Sequence, residues 1–279
     1  MFGSAPSKGT LAQAIEACAA GLEPVEKKIQ EGLAQAAIVH CDETGSRVEG
    51  KLGWLHSAST STLTHYAVHG KRGSEAMKEI GVMETLTGRI IHDGWASYFR
   101  FDLAHGLCNA HHLRELTFLE EQCHLDWAGQ MKALLRKAYV EVLEAKGRGE
   151  PSLGAQRLRE IEARYTALLE EGLAEDRRLN PPAAETAPRR RGRRKQSPGK
   201  NLLDRLSRHR EATLAFVHDF TVPFDNNQAE RDLRMTQVQM KISGGFRSEA
   251  GAKAFFRIRG YISTLLKQDV PVLNRVVAQ

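Results

Sequence analysis

Apolar residues recur at helical spacing from the start of the chain: Leu11, Ala14, Ile15 and Cys18, then Leu22, Val25, Ile29 and Leu33. A break near Gly21 and Pro24 divides them into two short helices within residues 10–35. Residues 36–41, Ala-Ala-Ile-Val-His-Cys, then read as a strand that ends in the turn-prone cluster Asp42-Glu43-Thr44-Gly45. Further strands fit 51–59 and 62–68, so 37–69 predicts a three-stranded antiparallel meander. Lys71-Arg72-Gly73-Ser74 interrupts the strands, and Ser74 suits the N-cap of a helix running to about Ile80. A short apolar run at 88–92 delivers Asp93-Gly94-Trp95 to its end, and another follows at 105–109.

From His111 to about Gly172 the period is helical almost throughout, with Met131, Leu134, Leu135, Ala138 and Val142, then Leu158, Ile161, Tyr165, Leu168 and Leu169, on apolar faces. Residues 180–200 change character: prolines give way to Arg189, Arg190, Arg191, Arg193, Arg194, Lys195 and Lys200, with no acid from 188 to 200, as in an exposed loop. Helices are expected again over 202–220, 228–234 and 250–268. No internal repeat is visible. The order of strands, helix, strands and helices predicts an α/β protein. The expected layout is N-terminal helices at 1–35, a first core part at 36–114, a helical segment at 115–220 carrying the basic loop, and a second core part at 221–279.

Composition narrows this little: 41% hydrophobic and 27% charged residues describe an ordinary globular chain. No apolar run nears the 18 or so residues of a membrane span, and the first ten residues lack a secretory pattern, so a cytoplasmic location without membrane attachment is expected. Cys18, Cys41, Cys108 and Cys123 form no C-x-x-C pair and are expected as thiols. The net charge of +6 suits a polyanionic partner such as nucleic acid.

Candidate chemistry rests on Asp42, Asp93 and Glu230. Each stands at the end of an apolar run or on a helix beside polar partners. An aspartate after a strand is, taken singly, most simply a turn residue. Taken in order, however, the three fall where neighbouring strand ends of one sheet assemble a site, and carboxylates there hold the paired hard cations of phosphoryl-transfer enzymes. Asp225 or Asn226 would cap the helix carrying Glu230; an ordinary capped helix accounts for Asp225 but leaves the Asn226-Asn227 pair and a buried-side Glu230 unexplained.

Four ordered segments then resemble the core motifs of the insertion sequence 66 family of transposases. They are His-Cys-Asp42-Glu43-Thr44, Ile-His-Asp93-Gly94-Trp95-Ala96-Ser97-Tyr98, Cys108-Asn109-Ala110-His111-His112-Leu113-Arg114 and Asp225-Asn226-Asn227-Gln228-Ala229-Glu230-Arg231. The likeness spans roughly residues 10–270. It implies a ribonuclease H-like mixed sheet flanked by helices, with a helical insertion between the second Asp and the Glu. It also implies an Asp-Asp-Glu set, Asp42, Asp93 and Glu230, holding two Mg²⁺ or Mn²⁺ ions. Asp42 would bridge both ions while Asp93 and Glu230 each bind one. The implied reaction cuts double-stranded DNA at an element's end and joins the freed 3′-hydroxyl to target DNA. Such enzymes act as homo-oligomers on DNA, sometimes with other proteins of the same element.

Two segments depart from the family pattern, His112-Leu113-Arg114 and Lys241-Ile242-Ser243-Gly244-Gly245-Phe246-Arg247, and nothing before residue 10 matches the family's end-recognition region. A catalytically inactive DNA-binding remnant and a same-fold structure-specific nuclease are therefore the alternatives. DNA contacts are expected from Arg231, Arg234, Lys241 and Arg247, from His111 and Arg114, and from the loop arginines with Lys195. Cys108, His111, His112 and the Cys123-His124 pair invite a zinc reading that their spacing does not favour. Trp54, Trp95 and Trp127 are expected in the core rather than as stacking platforms.

Overall fold

The N-terminal helices form where the apolar spacing puts them, α1 at Lys8–Gly21 and α2 at Glu23–Ala34. Ser7 caps α1 by accepting the Thr10 amide, and Pro24 occupies the first turn of α2, where a missing N–H costs nothing. The computed structural model describes residues 6–181 and 196–271, which divide into two compact units, Met1–His105 with Asn226–Gln279, and Gly106–Asp225. The loop residues Arg189, Arg190, Arg191, Arg193, Arg194 and Lys195 lie outside the described residues.

In the first unit, β1 (Ile38–Val48) pairs with β2 (Lys51–Ser59), and β2 with β3 (Thr64–His69), all antiparallel. The meander is as expected, but the first strand does not stop at Asp42. It runs on to Val48, and the turn falls at Glu49 and Gly50, both with positive φ (54° and 74°), as a two-residue hairpin on right-twisted strands requires. The Asp-Glu-Thr-Gly cluster is thus strand interior. Its residues lack β propensity, but Asp42, Glu43, Thr44 and Gly45 each lie opposite a β2 residue, and that pairing overrides local preference.

Next come α3 (Ser74–Ile80) and α4 (Val82–Thr85). Gly73 rather than Ser74 is the N-cap of α3, and Ser74 is buried as its first residue. β4 (Arg89–His92) then pairs parallel with β1 on the side away from β2, and the short β5 (His105–Leu107) completes the order β3-β2-β1-β4-β5. Gly88 is needed at the entry to β4, because a Cβ there would sit 2.1 Å from the Ala36 carbonyl oxygen.

The second unit is helical: α5 (Asn109–Cys123), α6 (Asp126–Gly147), α7 (Ala155–Leu179), α8 (Pro198–Arg208) and α9 (Arg210–His218). The expected continuous helix to Gly172 is broken at His124, which is left-handed, and again at the turn before Ala155. α6 packs on α5, α7 and α9 around Trp127, Met131, Leu135, Ile161 and Tyr165. At the unit's entrance and exit, the Asn109 amide donates to the Phe224 carbonyl at 2.9 Å, and the Asn109 side chain donates to the Thr213 carbonyl.

The chain returns to the first unit as α10 (Asn227–Ser243) and α11 (Glu249–Lys267). α10 extends nine residues past the expected end at Arg234, so Lys241 is helical. Helices cover both faces of this unit's sheet. Val39, Cys41, Ala58 and Ile90 face Ile29, Leu33, Met77 and Met83 on one side, while Leu55, Tyr66 and Val68 face Leu233, Ala252 and Phe256 on the other. Each large side chain so enclosed contributes about 1.5–3 kcal/mol of burial free energy. Among the described residues no helix is long and apolar enough to cross a membrane.

Candidate active site

Strand register brings the two aspartates together. Ile38 lies beside Arg89, Val39 beside Ile90 and His40 beside Ile91, a constant offset of 51 residues (89 − 38). The same offset continued two residues past the last registered pair, His40 and Ile91, sets Asp93, the residue just after β4, against Asp42 of the neighbouring strand, where parallel strands run about 4.8 Å apart. Side chains alternate across a strand, so Asp42 shares a face with His40 and Thr44, while Cys41 and Glu43 point to the other. Beyond His92 the chain turns at Gly94, whose φ of 89° suits only glycine comfortably. The turn is held from both sides: the Gly94 amide donates to His92 Nδ1 at 3.1 Å, and the Trp95 amide to Asp93 Oδ1 at 2.8 Å. The Glu43 amide likewise donates to Asp42 Oδ1 at 2.9 Å.

Glu230 arrives on the first turn of α10, along the face of β1 that carries Asp42. Of the two residues expected to cap this helix, Asn226 is the N-cap residue, but it makes no side-chain cap hydrogen bond. Its buried amide reaches β1 instead, donating Nδ2 to the Cys41 carbonyl at 2.9 Å and accepting from His40 Nδ1 at 2.8 Å. Farther along, Gln237 donates to the Thr44 hydroxyl at 3.2 Å. Asn226 therefore fixes the start of α10 against the residues flanking Asp42.

The electrostatics agree with convergence. Burial first, and then the charges of Glu43, Asp93 and Glu230, together push the Asp42 carboxyl up to about 7, against the lowering effect of the Glu43 amide. Asp42, Asp93 and Glu230 are all half-buried. Three mutually repelling oxygen donors with partial access to water are donor chemistry for a hard divalent cation, magnesium or manganese before zinc.

Glu43 was not singled out in the sequence, yet it is the most enclosed acid of the group, with its side chain 1% exposed. Its Oε1 accepts from Arg72 Nε at 2.9 Å and Nη2 at 2.6 Å, and its Oε2 from the Tyr98 hydroxyl at 2.5 Å. Burial raises its pKa, and the hydrogen bonds from Tyr98 and Arg72 work against that. The Arg72 guanidinium lies over two tryptophan rings, 4.7 Å from the Trp54 centroid and 4.2 Å from that of Trp95. Trp127 is fully buried in a core, as expected; Trp95 is half-buried and packs against the core beneath the sheet, and Trp54 is half-buried. Period-two alternation placed Glu43 opposite Asp42's face; reading 42–45 as a turn hid that signal.

The remaining expected site residues are placed as follows. Arg231, Arg234 and Lys241 are exposed on α10, and Arg247 is exposed in the segment after it. Arg231 donates to Gln228 at 3.1 Å. Asn227 is exposed as the first residue of α10. Asp225 ends the second unit, half-buried, and that unit also carries His111, half-buried, and Arg114, exposed, both on α5. Cys108 precedes this helix and Cys123 ends it, so at 1.5 Å per residue the two lie roughly 22 Å apart and cannot share one zinc ion. His112 Nδ1 lies 3.1 Å from Asn109 Oδ1, and burial pushes its pKa down to about 3.

A profile of the family described as Transposase IS66 family matches residues 1–254 of the 279. A comparison with curated proteins finds no match.

Proposed function

The chain belongs to the IS66 family of transposases, and on that premise we propose that it is the catalytic part of such an enzyme, with Asp42, Asp93 and Glu230 as its three ligating carboxylates. The sheet and helices of the first unit are assigned to a ribonuclease H-like core drawn from residues 36–114 and 221–279, with 115–220 as a helical insertion. The observation that carries the reading is geometric: strand register sets Asp93 beside Asp42, and α10 runs against β1 with Glu230 in its first turn, although Asp93 and Glu230 are 51 and 188 residues from Asp42 in sequence (93 − 42 and 230 − 42).

The residues fit a pair of Mg²⁺ or Mn²⁺ ions. Crowded carboxylates are unfavourable alone and favourable around cations, and each aspartate has one oxygen anchored by a backbone amide. When bound, such ions supply charge neutralisation at the phosphoryl oxygens and the leaving oxygen. The protein supplies position: Asp42 from a central strand, Asp93 from a glycine turn, Glu230 from a helix tied down by Asn226. Exposed Arg231, Arg234, Lys241 and Arg247 are assigned to DNA phosphates, which orient the scissile bond without reading its sequence. The substrate is double-stranded DNA, at the element's ends and at the target, and a homo-oligomer on paired ends is the expected working form.

The test uses DNA carrying the element's own termini, with Mg²⁺ or Mn²⁺. Nicking followed by transfer of a pre-cleaved end into plasmid DNA is expected. Cleavage without joining would indicate a nuclease, and undiminished activity in Asp93→Asn would remove the carboxylate assignment.

A further inference from the structure

Arg72 is the cation that the carboxylate cluster itself contains, and its surroundings form a closed circuit. The guanidinium grips two residues through their side chains: Glu43, by two hydrogen bonds to Oε1, and Trp95, by stacking at 4.2 Å. Those same two residues, through their backbone amides, hold the oxygens of the two aspartates: Glu43 N–H on Asp42 Oδ1 and Trp95 N–H on Asp93 Oδ1. Trp54 of β2 gives the guanidinium a second ring contact, at 4.7 Å, and Tyr98, three residues past Trp95, donates to the second oxygen of Glu43.

We propose that Arg72 is a positioning residue for the cation site, a clamp that sets the Asp93 turn against β1 and so fixes the spacing between Asp42 and Asp93. The inference rests on the reading that these aspartates hold divalent ions. Stability alone is a poor reason for the arrangement. Enclosing the Glu43 carboxylate costs desolvation that an apolar side chain of equal volume avoids, and a partner as exposed as Arg72 repays only part of it, so the pair is better understood by the geometry it specifies. An arginine is also what this geometry demands. Its planar fork supplies two donors to one carboxylate while the guanidinium also lies over two tryptophan rings, whereas a lysine keeps the charge and loses the plane. Glu43 itself faces away from Asp42's side of the strand, which leaves it as the clamp's anchor rather than a fourth ligand.

The experiment measures Mn²⁺ affinity of the full chain by isothermal titration calorimetry, with melting temperature recorded in parallel. Residues that orient metal ligands typically change affinity about 10–100-fold when lost, so Arg72→Met is expected to weaken Mn²⁺ binding at least about tenfold, with Arg72→Lys intermediate. The control is Arg257→Met, which removes the 2.6 Å pair between α11 and Glu26 of α2 and should lower the melting temperature at unchanged Mn²⁺ affinity. A merely structural Arg72 would behave like Arg257. The proposal is overturned if Arg72→Met, or Arg72→Lys should the former not fold, binds Mn²⁺ within about twofold of the parent. Asp42→Asn separates the two levels. Loss of binding there with full binding in the Arg72 variants rejects the clamp alone, and full binding in Asp42→Asn rejects the carboxylate reading together with it.

Discussion

Asn226 gives the sharpest test of how the two halves of the first unit are joined. It is 2% exposed, and its amide makes two hydrogen bonds into β1, at 2.8 Å to His40 and 2.9 Å to the Cys41 carbonyl. Truncation to alanine removes both; at about 1–3 kcal/mol for each lost hydrogen bond, relieved in part by water, the expected loss is about 3 kcal/mol. With a urea m-value of about 2–3 kcal/mol/M, the midpoint of the first unit's transition should fall by about 1–1.5 M. Asn226→Asp should be worse than alanine at neutral pH, though nearly isosteric. It replaces the donor to Cys41 with an oxygen and adds a charge beside a cluster that already holds Asp42, Glu43, Asp93 and Glu230. A midpoint shift below about 0.3 M for the alanine variant, or an aspartate variant as stable as the parent, would refute the bridge as the tie between α10 and β1.

Asp42→Asn should melt higher than the parent in the absence of divalent ions. The Asp42 pKa is raised from 3.8 to about 7, so its charged form disfavours the fold, a penalty that grows as pH rises through that window and is absent below it. The parent should gain about 2.7 kcal/mol from Mn²⁺ at a hundred times its dissociation constant, and the variant should gain none; equal gains would reject Asp42 as a ligand. Gly94→Ala must hold φ near 89°, at a cost of about 1–2 kcal/mol, and should reduce DNA cleavage more than DNA binding; unchanged cleavage would detach the turn from Asp93. His112 stays neutral in the fold because burial lowers its pKa to about 3, while the unfolded ring takes up a proton below about 6.5. Its contribution is therefore lost as pH falls, about 2 kcal/mol between pH 7 and pH 5, and urea unfolding of His112→Asn should lose that part of the acid sensitivity.

Local pattern carried much of the fold. The hairpin strands, the start of β4 and the closing helix were legible because alternation and helical periods are written into neighbouring residues. The proposed trio Asp42, Asp93 and Glu230 rests on a different signal, their place in ordered polar motifs. What escaped was everything decided by distant partners. The segment Asp42-Glu43-Thr44-Gly45 carries turn chemistry and becomes strand because β2 pairs along it. Asn226 looks like a helix cap and serves as a bridge over 185 residues to Cys41. Arg72 sits in a run that reads as a linker, and nothing near it in sequence announces two tryptophans and a carboxylate from three separate segments.

The hydrogen bond from Asn109 to Phe224 bears on how such a chain assembles. A flexible tether of 120 residues (225 − 106 + 1) between β5 and α10 would impose a closure entropy of roughly 4 kcal/mol before Glu230 could meet Asp42. Once the second unit has folded, its entrance and exit are pinned 2.9 Å apart, and that tether shrinks to a few residues. A helical unit acting in this way is a splice in the polypeptide, and slowing its folding should delay completion of the sheet unit even though the sheet's own residues are untouched.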